Sequence, residues 1–166
     1  MPTSYLESTA RISQDGRYRY SLTRVWAEAP SRLLFVLLNP STADASVPDT
    51  TLRQCVFFAQ REGFAGVELV NLFALRSTNP AALRVDWVES VGPENDKILA
   101  RTAMLSQKIV VAWGAFDSMG RDQAVLRILR QYGDIFCLGT TKGGYPQHPC
   151  RLAHDTPLQL FIRKTQ

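Results

Sequence analysis

The chain has no apolar run approaching the ~20 residues that cross a bilayer, which argues against a membrane-spanning helix. Its opening, "MPTSYLESTAR", lacks the apolar stretch of an export signal, so a cytoplasmic location is expected. Cysteine is scarce: Cys55, Cys137 and Cys150 stand 82 and 13 positions apart, with no C-x-x-C or Cys/His ligand spacing. That argues against a zinc or iron–sulfur centre, and no metal or other cofactor is expected. An odd count with no export signal reads as reduced thiols, with Cys55 and Cys137 as core filler. Repeats, low-complexity tracts and linker-like Gly/Ser/Pro clusters are also missing, so one domain over residues 1–166 is expected. Lysine is sparse as well, and fifteen of the nineteen basic residues are arginine at a net charge of +4. Guanidinium forks suit phosphate, yet no basic run marks a nucleic-acid tail.

What remains is an ordinary globular composition, 45% apolar and 20% charged. "RYRYSLTRVWAE", Arg17 to Glu28, alternates and predicts a strand with one wet face. "LLFVLL", Leu33 to Leu38, is apolar on both faces, as a central strand covered by helices should be. "PDTTLRQCVFFAQREGF" predicts a helix capped by Asp49, with Leu52, Cys55, Val56 and Ala59 on its inner face and Gly63 ending it. "GVELVNLF" predicts a second buried strand, Val67 to Leu72. "GPENDKILARTAMLSQ" predicts a helix with Pro93 at its first position and Glu94 and Asp96 in its first turn.

"KIVVAWG" is a third predicted strand, closed by Gly114. "MGRDQAVLRILRQYGD" predicts an amphipathic helix with Ala124, Val125, Ile128, Leu129 and Tyr132 inward and Gly133 at its end. "IFCLG" is a fourth, short strand, and "TPLQLFIRK" reads as a short helix or an edge strand. Alternation of strand and helix predicts an α/β, three-layer sandwich. Its sheet has four mostly parallel strands plus an antiparallel N-terminal strand at one edge.

In such a sheet ligands bind outside the carboxyl ends of the strands. That rim collects Asn39-Pro40-Ser41-Thr42-Ala43-Asp44, then Asn71, Arg76 and Asn79, then Trp113-Gly114, then His148-Pro149. The opposite rim, at "APSR", "FAG", "SQ" and "YGD", is chemically plain. Each member also has a bland reading. Asn39-Pro40 can be a turn that stops a strand, and Asn71 can satisfy loop backbone. Trp113 can be core, Arg76 a surface charge, Asp44 a turn cap, and His154 an exposed bystander. The concentration on one rim is what favours a site.

"RYRYSLTRVW", "LLFVLLNPSTAD", "PDTTLRQCVFFA", "VNLFALRSTNP", "VGPENDKIL", "VVAWG" and "HP" resemble domain-of-unknown-function family 1643, over about Arg17 to Pro149. More distantly, the order of motifs resembles the uracil-DNA glycosylase superfamily. The matching positions are Asn39-Pro40 after the first parallel strand, Asn71 at the end of the second, and His148-Pro149 after the fourth. That resemblance implies a glycosylase-like fold and a DNA or nucleotide ligand. It implies catalytic roles for Asn39, Asp44 and His148, and base contacts from Asn71, Phe57, Phe58 and Trp113. Phosphate contacts would come from Arg76 and Ser41. The chain departs from the superfamily by carrying Asn39 where its strongest members carry an acid, and by lacking a Ser-rich wedge after His-Pro. Three readings follow: an enzyme hydrolysing an N-glycosidic bond, a non-catalytic nucleotide or nucleic-acid binding module, and a hydrolase using Ser41 with His148 and Asp44 or Asp155. The last lacks the G-x-S-x-G elbow.

Overall fold

The computed structural model describes residues 2, 4–41 and 50–162. It is a mixed α/β fold around one seven-stranded sheet. In chain order the elements are β1 (Glu7–Ile12), β2 (Arg19–Val25), β3 (Arg32–Leu37), α1 (Thr50–Arg61), β4 (Gly66–Asn71), a 3-10 turn (Pro80–Arg84), α2 (Trp87–Val91), α3 (Asn95–Leu105), β5 (Lys108–Val111), α4 (Arg121–Leu129), β6 (Ile135–Cys137) and β7 (Gln159–Leu160). The sheet order is β1-β2-β4-β3-β5-β6-β7. The middle four strands run parallel, and β2 joins β4 antiparallel.

The four parallel strands stand where the apolar runs put them, because β-branched and aliphatic runs with both faces covered suit a central sheet. The sheet is wider than expected, however. The N-terminal strand predicted at the edge is internal, since β1 pairs outside it, and its expected wet face is buried. Serine and threonine fill that face: Ser21 and Thr23 are both enclosed, as is Arg24 on the opposite face. At the far edge β7 pairs antiparallel with β6, which makes Gln159–Leu160 of the tail an edge strand.

Helices cover both faces. Leu52, Cys55, Val56, Phe58 and Ala59 of α1 pack on Leu33, Phe35, Val67 and Leu69. On the other face Leu99 and Ala103 of α3, with Val125, Leu126 and Leu129 of α4, pack on Leu34, Val36, Val70 and Val111. Two helix registers differ from expectation. Leu126 is buried while Tyr132 is exposed beyond the end of α4, and Pro93 precedes α3 instead of opening it. The expected Asp49 cap lies outside the described residues.

The β1–β2 pairing is irregular. Arg11 faces Ser21 but Ile12 faces Arg19, so Tyr20 is an extra residue, a β-bulge. Beyond it the alternation changes phase: Tyr18 and Tyr20 both pack with Ala74 and Ile98 on the α3 face.

Glu68 of β4 gives the fold a pH dependence. Burial holds its carboxyl above the usual glutamate range, against Arg32, a Ser21 hydrogen bond and Arg101, which pull it down. An acid whose folded pKa is raised binds its proton more tightly in the folded state. Its contribution is therefore most favourable below the ordinary glutamate pKa and declines as pH rises through the folded value. Glu68→Gln is expected to raise Tm at pH 8 and leave it nearly unchanged at about pH 4. Thermal melts at the two pH values check this.

Candidate functional site

The crossover pattern places a crevice at the carboxyl ends of the central strands. From β3 the chain passes through α1 to β4 on one side, then returns through α3 to β5 on the other. Loops leaving β3 and β5 therefore part company there, and a gap opens above the strand ends. A cavity of about 290 Å³ occupies it, on the α1 face. Leu22, Leu37, Leu38, Leu52 and Leu69 form its apolar wall, and Arg19, Asn39, Ser41, Thr51, Asn71, Pro80, Trp113 and His148 complete its described lining.

Asn71 is the last residue of β4 and only 3% exposed. Among the described residues its carboxamide has no hydrogen-bond partner, although a buried amide ordinarily finds one. Its backbone, in contrast, is held firmly. The Asn95 Nδ2, on the opposite face of the sheet, donates to Asn71 O and Leu72 O at 3.0 Å each. The Arg121 Nε donates to Leu72 O at 2.8 Å, and its Nη2 pairs with Asp96. The side chain is thus presented to the cavity from a fixed backbone.

His148 sits on a loop tied down at several points. Gly114 N–H donates to Pro146 O at 2.9 Å, and Gln147 N–H to Gly139 O at 2.9 Å. Gly114 has φ +80°, so glycine permits the turn; a Cβ there would make only ordinary contact with the His148 Cβ, at 3.5 Å. The Cys150 backbone N–H donates to His148 Nδ1 at 3.3 Å. A ring nitrogen that accepts is unprotonated, which makes Nε2 the donor of the neutral imidazole. Nitrogen-15 NMR is expected to find the proton of the neutral imidazole on Nε2, with Nδ1 unprotonated. Cys150 also ties this loop to α1, its Sγ 3.2 Å from Thr51 Oγ1.

Asn39 has a more structural part than expected. Its Nδ2 donates to Pro40 O at 3.1 Å and to Ser77 O at 2.9 Å, clasping the loops after β3 and β4. Both amide protons are thereby used, leaving Oδ1 as an acceptor only. Trp113 lines the cavity and packs edge-on to Phe161, with ring centres 6.2 Å apart. Its Nε1 is buried with no partner among the described residues.

Other expected members lie elsewhere. Phe58 is fully buried in the core and does not line the cavity. Phe57 stacks on the exposed ring of His154 at 3.7 Å between centres, away from the cavity lining. Arg76 also falls outside the lining and donates from Nη1 to Gly16 O in the β1–β2 turn at 3.1 Å. Asp44 lies outside the described residues. The position that sequence reasoning missed is Arg19, a 7% exposed arginine inside a strand. A guanidinium at a buried strand position was the available signal. Among the described residues no group of three or more His, Cys, Asp or Glu could hold a metal ion. No helix among them is long and apolar enough to cross a membrane.

These features define a mixed α/β fold with a cavity of mixed apolar and polar lining at the crossover point of its sheet. The family model described as "Protein of unknown function (DUF1643)" matches residues 19–150, and the chain belongs to that family. The match begins at Arg19 and ends at Cys150, so it takes in every described residue of the cavity lining. No curated protein and no solved structure matches the chain.

Proposed function

We propose that the cavity binds a nucleobase or nucleotide, and that the chain is a diverged relative of the uracil-DNA glycosylases in both fold and site. The observation that carries this reading is the Asn71 carboxamide, buried, unpartnered among the described residues and open to the same cavity as His148. A carboxamide offers one donor edge and one acceptor edge, the complement of a base edge. The His148 Nε2–H supplies a neutral donor for a base oxygen, and Trp113 offers an aromatic wall. In N-glycosidic hydrolysis the base leaves with the bonding pair and the sugar becomes cationic. A preorganised donor near the base oxygen favours that charge separation; the Asn39 Oδ1 can accept a hydrogen bond that orients the attacking water, whose oxygen bonds to the sugar carbon while its proton ends on the departed base anion.

A second reading, binding without turnover, has its own support. Both Asn39 amide protons hold loop backbone, and the described lining contains no carboxylate to activate water. DNA containing uracil, hypoxanthine or a mismatch, scored for abasic sites, separates the two. Turnover that is lost in the Asn39→Ala/His148→Ala double variant supports the enzyme. Turnover that survives the double variant rejects the site, and binding of bases or nucleosides without turnover favours the module.

A further inference from the structure

Arg19 reaches the cavity because of the β-bulge. With simple alternation Tyr20 and Leu22 would share a face and Arg19 would point to the other. The extra residue at Tyr20 reverses that phase, so Arg19 joins Leu22 in the cavity wall while Tyr18 and Tyr20 pack against α3. Bulges commonly re-aim a side chain next to a site. The wall residues also have an order. Arg19 on β2, Asn71 on β4, Asn39 after β3 and Trp113 after β5 occupy successive strands. At about 4.8 Å per strand, Arg19 and Trp113 stand about 14 Å apart across the sheet.

We propose that the Arg19 end of this trough holds the phosphate of a free mononucleotide whose base lies towards Asn71 and His148. This inference rests on the base-binding reading above and adds the charged half of the ligand. Asn71 is the independent sign that a ligand enters: a polar side chain 3% exposed, unpartnered among the described residues and lining the same trough. Arginine suits phosphate because its planar fork makes two parallel charge-assisted hydrogen bonds. Its five N–H donors let it keep contacts within the fold and hold a ligand together. The described lining carries this fixed positive charge and no carboxylate. A terminal phosphate monoester, with nearly two negative charges, fits a buried guanidinium better than an internal phosphodiester, which must continue into solvent on both sides.

The test titrates the full chain with inorganic phosphate, the four common ribonucleosides, their 5′-monophosphates and a short single-stranded DNA, using calorimetry and thermal shift. For the base that binds, the monophosphate is expected to bind at least about tenfold more tightly than its nucleoside. In Arg19→Gln that advantage should fall below about threefold while nucleoside affinity holds, and Arg19→Lys should restore part of it. Inorganic phosphate should raise the Tm of the wild type and not of Arg19→Gln. Equal affinity for nucleoside and monophosphate in the wild type overturns the phosphate assignment and leaves base binding intact. Absence of binding by nucleosides and monophosphates alike rejects both. Tighter binding of the oligonucleotide than of any monophosphate overturns the free-nucleotide assignment. Should Arg19→Gln fail to fold, the wild-type comparison decides alone.

Discussion

Asn71→Leu is expected to weaken nucleobase or nucleotide binding by roughly 100-fold while leaving the free protein as stable or more stable. The two effects have opposite signs for one reason. Among the described residues the Asn71 carboxamide has no hydrogen bond to lose on substitution, and it faces the cavity, where water can reach it. Leucine therefore breaks no protein hydrogen bond and adds apolar contact with Leu22, Leu37, Leu52 and Leu69, which already line the same cavity. For the ligand the sign reverses, because a base edge that matched the carboxamide would face a methyl group. A site built to hydrogen-bond its ligand rejects a mismatched partner strongly, since the unmet groups are then desolvated. A purely structural Asn71 would behave otherwise: its replacement would lower Tm and leave any affinity elsewhere untouched. Paired urea melts and titrations of the variant therefore separate the two roles.

The second large effect is on the fold. Asn95→Leu is expected to lower stability by about 2 kcal/mol. Asn95 is fully buried, and its Nδ2 serves two carbonyls, Asn71 O and Leu72 O. Leucine leaves Asn71 O without that donor, while Leu72 O still receives Arg121 Nε. One offset is already present, because the Asn95 Oδ1 is buried with no partner among the described residues and its loss breaks no hydrogen bond there. Asn95→Asp should be the more damaging change, since it sets a buried carboxylate against carbonyl oxygens. The order wild type, then leucine, then aspartate in urea midpoint is the expected result. Both variants should also weaken ligand binding, because Asn95 and Arg121 hold the backbone that presents Asn71.

Much of this architecture can be read from the residues. The four parallel strands follow from "LLFVLL", "GVELVNLF", "KIVVAWG" and "IFCLG", whose apolar runs need cover on both faces. Strand order then makes the rim at Asn39, Asn71, Trp113 and His148 a meeting place, and one cavity does include all four. The edge strand β1 could not be read, since "ESTARI" buries little and shows no apolar alternation. The phase of β2 could not be read either. A bulge is set by pairing between strands, and "RYRYSL" carries no local mark of it. Adjacent aromatics on α1 misled for a related reason. Phe57 and Phe58 are neighbours in sequence, but one turns into the core and the other out to His154.

Asn39 shows how a motif can be found while its hydrogen bonds stay hidden. Its position beside the cavity agrees with the turn at the strand end, yet both amide protons close the turn on Ser77 and Pro40. No one-dimensional signal distinguishes an amide that clasps a loop from one that meets a ligand. The hydrogen-bond partners do.

The most direct measurement is a side-chain NMR titration of the nitrogen-15-labelled protein with the tightest-binding nucleoside monophosphate. The Asn71 carboxamide and the His148 Nε2–H are expected to shift together and saturably with one Kd, while the Asn95 carboxamide, on the other face of the sheet, moves little. Saturable ligand binding that leaves both Asn71 and His148 resonances in place would contradict the account.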